Sequence, residues 1–430
     1  MSARVSRSIR VAAVQLEAHD RADFARRVDA IVTAVCDAAA DADLVVLPEG
    51  SLPAYVLGSA PLDWAPVDAA VERLREIART TSTVIVAGAA ARADGTVRNS
   101  AIVVDSDGSI AGRADKLFLW HFDRRWFARG QRLAPIRTSV GTLGILICAD
   151  GRIPTIASTL VDRGAVALVM PTAWVTSGRD PTALDNVQAD LLARVRAYEN
   201  RVPFIAANKC GSELGMVAYC GKSQIVDAHG EIVAIAGERR AETLRARIDL
   251  PEHPQPHRAP LRRLPANTRR DCEPLRIAIS FAPLPPDIDE RLEVLDARYA
   301  VAPDDEPRLS TLAQGIGAFV AGDEVVLDPA GLVPLRQAGV ALVAWASDLE
   351  PTWVERFARA RALELRLYVI AFDRRAKRAF AVDPDGSVIA GTFGGFAIAS
   401  FSFDRRKTTE TSVAPGSDVA RALERVEALR

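Results

Sequence analysis

Residues 144–154 read GILICADGRIP, an apolar run fit for a buried strand that stops at Cys148 and gives way, after Pro154, to the helix-like IASTLVDRGA of 156–165. A strand that passes straight into a helix is half of an α/β unit, and the flanking sequence keeps the same alternation. Upstream lie RVAAVQL (10–16), FARRVDAIVTAVCDAAA (24–40), LVVLPEG (44–50), VDAAVERLREIARTT (67–81) and TVIVAGAAA (83–91). Downstream lie VALVMPTAW (166–174), LLARVRAYENR (191–201) and FIAANK (204–209). The short β-branched runs are expected as strands and the longer amphipathic ones as helices that cover them. Hairpins are expected at the D-S-D-G of 105–108 and within KSQIVDAHGEIVAIA (222–236). The fold class is therefore α/β.

The chain has 430 residues, more than one compact domain usually holds, and 49% of them are apolar against 25% charged. That supplies a large buried core. A formal net charge of −1 gives no long-range attraction to phosphate backbones or anionic lipid, so neither a nucleic-acid nor a membrane partner is expected. No apolar run reaches the ~18–20 residues of a membrane span. The opening MSARVSRSIRVAAVQLEAHD breaks off too soon for a secretory signal, and a cytoplasmic location is expected. Five scattered cysteines (Cys36, Cys148, Cys210, Cys220 and Cys272) fit reduced thiols better than a disulfide frame. Cys210 and Cys220 would bind metal only with histidines brought from elsewhere, and no metal or cofactor is expected.

After Leu250 the sequence turns to PEHPQPHRAPLRRLPANTRRDCEP (251–274), rich in proline and arginine and without apolar period. Residues 251–272 are expected as a linker between a domain at 1–250 and another at 273–430. The second part echoes the first. RIAIS (276–280) resembles RVAAV (10–14), RQAGVALVAWAS (336–347) resembles VDRGAVALVMPTAW (161–174), RALELRLYVIAFDR (361–374) resembles RAYENRVPFIAANK (196–209), and FAVDPDGSVIAG (380–391) resembles QIVDAHGEIVAIAG (224–237). Gly339 follows Gly164, and Pro329 follows Pro154, by the same 175 residues. Four matches in one order point to a shrunken second copy. At that offset Cys148 maps to Asp323, so the copy lacks the thiol.

Three stretches carry residues suited to chemistry: LVVLPEG around Glu49, GRADKLFLW (112–120) around Lys116, and GILICADGRIP around Cys148. Together, in this order and spacing, they resemble the nitrilase or carbon–nitrogen hydrolase superfamily over residues 8–250. The resemblance implies an αββα four-layer sandwich with Glu49, Lys116 and Cys148 meeting at one end of the sheets, followed by a smaller degenerate α/β copy of the same fold. It also implies a cysteine-dependent hydrolase of a non-peptide C–N bond, with no cofactor and a small-molecule amide or nitrile as partner. Members recruit partner subunits through helix faces, so a homo-oligomer, or a pseudo-dimer formed within the chain by the silent copy, is expected.

The trio has its own physical sense. A free thiol titrates near ~8.5 and needs a base or a cation to act as thiolate. Glu49 can take the proton and later return it to the leaving amine, while Lys116 can stabilise the anion of the tetrahedral intermediate. The Ala149 N–H, one residue past Cys148, can point at the same anion. Taken singly, each has an ordinary alternative: a core cysteine, a turn glutamate, a surface lysine.

The family commonly carries a second glutamate where HFDRRWFARG (121–130) has Asp123, one methylene shorter. Asp123 is expected to orient substrate or water. Asp150 and Arg152 in CADGRIP resemble amidase-type members more than nitrile-cleaving ones, and Tyr55 and Trp174 fall where family members line the acyl pocket. An amidase is thus expected, with a nitrilase, or a non-catalytic binding protein suggested by Asp123 and the silent copy, as alternatives. A G-x-S-x-G serine is absent, which disfavours the triad hydrolases, and Rossmann and P-loop signatures are missing as well.

Overall fold

The computed structural model describes residues 5–176, 184–259, 275–282, 292–295, 308–311, 317–395 and 397–430. Of the expected linker, 260–272 lies outside the described residues, and its first residue, Pro251, closes a long strand. Contacts divide the chain into two units. The first holds Met1–Pro256 with Ala414–Ser417 and Glu424–Arg430, and the second holds His257–Val413 with Asp418–Leu423.

In the first unit, strands β1 (Val5–Glu17), β2 (Leu44–Val46), β3 (Val84–Ala93), β4 (Thr96–Val104) and β5 (Ile110–Asp115) run in that spatial order, β1 to β3 parallel and the rest antiparallel. The second sheet is six-stranded and built from β6 (Ile136–Thr138), β7 (Gly141–Ile145), β8 (Ala167–Pro171), β9 (Phe204–Ala207), β12 (Gln224–Val226) and β13 (Ile232–Ile235). Between β9 and β12 the chain adds a hairpin, β10 (Lys209–Glu213) and β11 (Val217–Cys220), to the first sheet, and β14 (Glu242–Pro251) pairs along β1.

Helices α1 (Phe24–Ala39) and α2 (Ala65–Thr81) lie on the first sheet, where Ile31, Val35, Leu74 and Ile77 meet Ala12, Val14, Val45 and Ile85. Each large aliphatic side chain so buried contributes roughly 1.5–3 kcal/mol. Helices α3 (Pro154–Asp162) and α4 (Ala193–Asn200) cover the other sheet, and β2 and β3 face β8 and β9 across the middle. The layering is therefore helix, sheet, sheet, helix, as the resemblance implies. The D-S-D-G segment is the turn between β4 and β5; Gly108 takes φ +82, and a Cβ there would lie 2.8 Å from the Arg75 carbonyl oxygen.

In the second unit, β15 (Leu275–Ile279) pairs parallel with β16 (Leu292–Leu295) and antiparallel with β23 (Ala399–Phe403), as β1 does with β2 and β14. A six-stranded sheet follows the order β17 (Arg308–Thr311), β18 (Gly317–Ala321), β19 (Leu342–Ser347), β20 (Tyr368–Asp373), β21 (Arg378–Val382) and β22 (Val388–Gly391). Its successive pairings are antiparallel, parallel, parallel, antiparallel and antiparallel. The sheet from β6 to β13 has the same succession. Helices α5 (Asp323–Leu327), α6 (Val333–Gln337) and α7 (Pro351–Leu365) accompany it.

Candidate active site

Parallel strands leave their carboxyl ends on one side of a sheet, and loops that follow those ends converge there. Glu49 follows β2, Lys116 follows β5, Cys148 follows β7, and Thr172 to Trp174 follow β8. Glu49 reaches the point because β3 lets it pass close: a Cβ on Gly88 would lie 2.2 Å from the Pro48 carbonyl oxygen and 2.5 Å from Glu49 Cα. The Glu49 N–H then donates to the Thr172 carbonyl, 3.2 Å away, which joins the two sheets at this spot.

Among the named residues, Glu49, Lys116 and Asp123 form one buried cluster. Lys116 Nζ lies 2.7 Å from Glu49 Oε1 and 2.7 Å from Asp123 Oδ2, with all three side chains fully withdrawn from solvent. Asn99 Nδ2 donates to the same Glu49 Oε1 at 2.6 Å, so both donors crowd one oxygen. Glu49 Oε2 has no hydrogen-bond partner. Burial by itself pulls the Lys116 ammonium down, but Asp123 and Glu49 outweigh it and hold the lysine well above its ordinary value.

Asp123 is more than a charge beside the lysine. Its Oδ1 accepts from the Tyr55 hydroxyl at 2.6 Å and its Oδ2 from the Trp120 N–H at 2.8 Å. Tyr55, expected to line the acyl pocket, is thereby tied into the polar cluster, and its ring centroid lies 5.6 Å from Lys116 Nζ. Trp174 is buried with an unpartnered indole N–H, and Ala149 is buried in the turn after Cys148.

Cys148 does not end the strand itself. β7 stops at Ile145, and Cys148 opens a short 3-10 turn, Cys148–Arg152, at φ +46. A residue with a Cβ holds that backbone at a cost of about 1–3 kcal/mol, so neighbours must fix it. Asp150 does so. Its carboxylate accepts from Ile147 N–H at 3.0 Å on the thiol side, and from Leu117 and Phe118 N–H at 3.1 and 2.7 Å beside Lys116. Burial pushes Asp150 up to about 7 against the pull of these donors and of Lys116. The Cys148 thiol is raised further still, by burial and then by Glu49, with Lys116 opposing.

Sequence reasoning missed several supports. Lys209 and Glu213, buried and 2.5 Å apart, clasp the loop after Glu49: Lys209 Nζ donates to the Gly50 carbonyl at 2.9 Å and Glu213 Oε2 accepts from Val56 N–H at 2.8 Å. Their i, i+4 spacing on a strand gave no signal, since it places both on one face without saying what lies opposite. Arg152 was visible but had no assigned task. Its half-buried guanidinium stacks 4.4 Å from the Trp120 ring centroid and takes no hydrogen bond or ion pair among the described residues. Burial lowers it to about 10, with the nearby Cys148 pulling the other way. Cys210 and Cys220 sit opposite each other on β10 and β11 as free thiols, and no metal-holding group of three or more His, Cys, Asp or Glu exists among the described residues. Nor is any described helix long and apolar enough to cross a membrane.

The carbon-nitrogen hydrolase family model matches residues 10–254, the stretch that holds both sheets of the first unit and every residue of the cluster. The chain belongs to the carbon-nitrogen hydrolase family. It is 29% identical over 154 residues to a probable nitrilase of Schizosaccharomyces pombe, covering 36% of this chain and 54% of that protein. It is 28% identical over 232 residues to an (R)-stereoselective amidase of a Pseudomonas species, covering 53% of this chain and 81% of that one. Among solved structures it resembles the amidase of Nesterenkonia sp. AN1, whose active-site cysteine was captured with added acrylamide. That match has 26% identity, a TM-score of 0.50, and covers 56% of this chain and 93% of the other.

Proposed function

We propose that this family member cleaves the C–N bond of a small amide or carbamoyl compound through a thioester on Cys148, with Glu49 as proton carrier and Lys116 as anion stabiliser. One observation carries the reading: Glu49 spends a single oxygen on Asn99 and Lys116 and keeps Oε2 unpartnered in a buried site. A buried carboxylate oxygen left unpaired is costly unless something it serves arrives there. The thiol proton is that something. Glu49 Oε2 takes it as Sγ attacks the carbonyl carbon, the Lys116 ammonium and the Ala149 N–H stabilise the oxyanion, and Glu49 returns the proton to the departing amine. Water then attacks the thioester with Glu49 again as base. Asp123 holds Lys116 and Tyr55 in place throughout, and Trp174 lines the acyl side.

Arg152 supports a narrower substrate class. A half-buried guanidinium near the thiol, with no carboxylate partner among the described residues, suits an amide that also bears an anionic group. The amidase among the relatives fits an amide substrate, without bearing on its charge; the nitrilase keeps small nitriles as the second reading, since the same thiol attacks either carbon.

Ammonia release from a panel of neutral amides, amides of dicarboxylic acids, ureido acids and nitriles tests the proposal. The expected result is turnover of an anionic amide that Cys148→Ala abolishes while the fold stays intact; continued hydrolysis by that variant would refute the nucleophile.

We propose further that residues 273–430 are a degenerate copy of the catalytic fold, joined to a domain at 1–250 by a linker at 251–272. The matching succession of strand pairings supports this, as do repeated details: Arg196 and Arg361 each pair with a glutamate three residues on and donate Nε to a backbone carbonyl, of Gly151 and Val326. Asp323 follows β18 as Cys148 follows β7, and its carboxylate accepts from Trp345 Nε1 at 3.0 Å. Without a thiol this half cannot form a thioester. Limited proteolysis is expected to cut within 260–272 and leave both halves resistant; first cleavage inside either sheet would count against the division.

A further inference from the structure

The backbone between Lys116 and Asp123 leaves strand pairing after β5 and enters the short turn His121–Arg125 that presents Asp123. Two peptide groups in this passage find one partner, the hydroxyl of Ser417. Its Oγ accepts from the His121 N–H at 2.8 Å and donates to the Leu119 carbonyl at 3.3 Å. Ser417 is fully buried. His121 sits at φ +44, a conformation that a residue with a Cβ holds only when its surroundings over-determine it. Buried peptide groups need partners, and here a single side chain supplies them on both sides of Trp120, leading into the strained residue.

The segment that brings Ser417, Ala414–Ser417, belongs to the first unit although it lies near the end of the chain. Its neighbour Gly416 passes the same turn, where a Cβ would come 3.4 Å from Arg124 Nη1. The other C-terminal stretch of this unit, Glu424–Arg430, is anchored separately. Arg163, just past α3, donates to the carbonyls of Leu429 and Arg430 at 2.7 and 2.8 Å. The end of the chain thus braces the turn that carries Asp123 and, independently, the helix that begins where the Cys148 turn finishes.

We infer that Ser417 is a positioning residue for the hydrolysis proposed above, fixing Asp123 and through it the Lys116 ammonium, so that the C-terminal end of the chain completes the catalytic unit. The inference rests on the proposed roles of Lys116 and Asp123. Asp123 reaches Lys116 and Tyr55 by bonds of 2.7 and 2.6 Å, which leave little room for movement. A displacement of ~1 Å at such a group can cost about 100-fold in rate.

The test uses the full chain and the best amide from the panel. Ser417→Ala is expected to lower kcat about tenfold or more, with KM within about twofold, and to raise amide hydrogen exchange at Leu119–Asp123. Ser417→Thr, which keeps the hydroxyl, restores both. Should the alanine variant not fold, Ser417→Cys, similar in size with a poorer hydrogen-bonding atom, takes its place and is expected to show a smaller loss of the same kind. Unchanged kcat in these variants, or a loss that threonine does not repair while exchange at His121 stays at the wild-type level, overturns the inference. The nucleophile assignment fails by a different result, activity in Cys148→Ala, which leaves the Ser417 comparison readable.

Discussion

Lys116 Nζ lies 2.7 Å from Glu49 Oε1 at a point where neither side chain touches solvent. Removing either partner therefore has a different consequence. Glu49→Gln keeps an oxygen for Asn99 and Lys116 but puts an amide where Oε2 stood, so the fold should survive while kcat falls by roughly 10²–10⁴. Lys116→Met strands two carboxylates, Glu49 and Asp123, and should cost about 3–5 kcal/mol of stability in addition to activity. Thermal melts and kcat on the two variants separate these effects; a Glu49→Gln protein with near wild-type turnover would remove Glu49 as the base.

Much of this was legible in the sequence for a plain reason: the strands of the first unit are short β-branched runs, and each chemical residue follows the end of one. That Glu49, Lys116 and Cys148 each fall just past a strand could be read from their own flanks. Asp123 could be located but not its bond to Tyr55, because a lone tyrosine in a loop has no pattern that distinguishes packing from hydrogen bonding. Asp150 was read only as a substrate cue, whereas its carboxylate stitches the Cys148 turn to the strand end at Lys116. Ser417 was out of reach, since a contact with His121 across 296 residues leaves no local signal.

Asp150 makes stability depend on pH in a predictable direction. Its carboxyl is raised from an ordinary 3.8 to about 7 in the folded chain, so between those values the folded state holds a proton that the unfolded state has lost. Its contribution is complete below about pH 4 and disappears as pH rises through about 7, a change of up to about 4 kcal/mol. Asp150→Asn does not titrate. The difference in unfolding free energy between wild type and this variant, measured by denaturant from pH 4 to 8, should shift steadily against the wild type; two parallel curves would show that Asp150 stays ionised throughout.

Burial and Glu49 together outweigh Lys116 at the Cys148 sulfur, so no standing thiolate is expected before substrate arrives. Thiolate absorbs ultraviolet light that the protonated thiol does not, and a difference against a variant lacking one cysteine follows that thiol alone. The difference between wild type and Cys148→Ala should show no thiolate step below about pH 9. A step near neutrality would mean a preformed ion pair with Lys116, and Glu49 would then have no proton to take in the first half of the reaction.

Arg152 offers the sharpest distinction among substrates. Its guanidinium, held over Trp120 and lowered to about 10 by burial, bears no bond or ion pair to any described residue. A substrate carboxylate that meets it would gain a charge-assisted hydrogen bond, which typically contributes about 1.5–3 kcal/mol. Arg152→Met should therefore raise KM for an anionic amide by about 10- to 100-fold and leave a neutral amide of similar size almost unchanged. Arg152→Lys should recover only part of the loss, because an ammonium offers a point charge where the guanidinium offers a fork stacked on the indole. Equal losses for charged and neutral amides would instead make Arg152 a support for the Cys148 turn, and the preference for anionic substrates would have to be dropped.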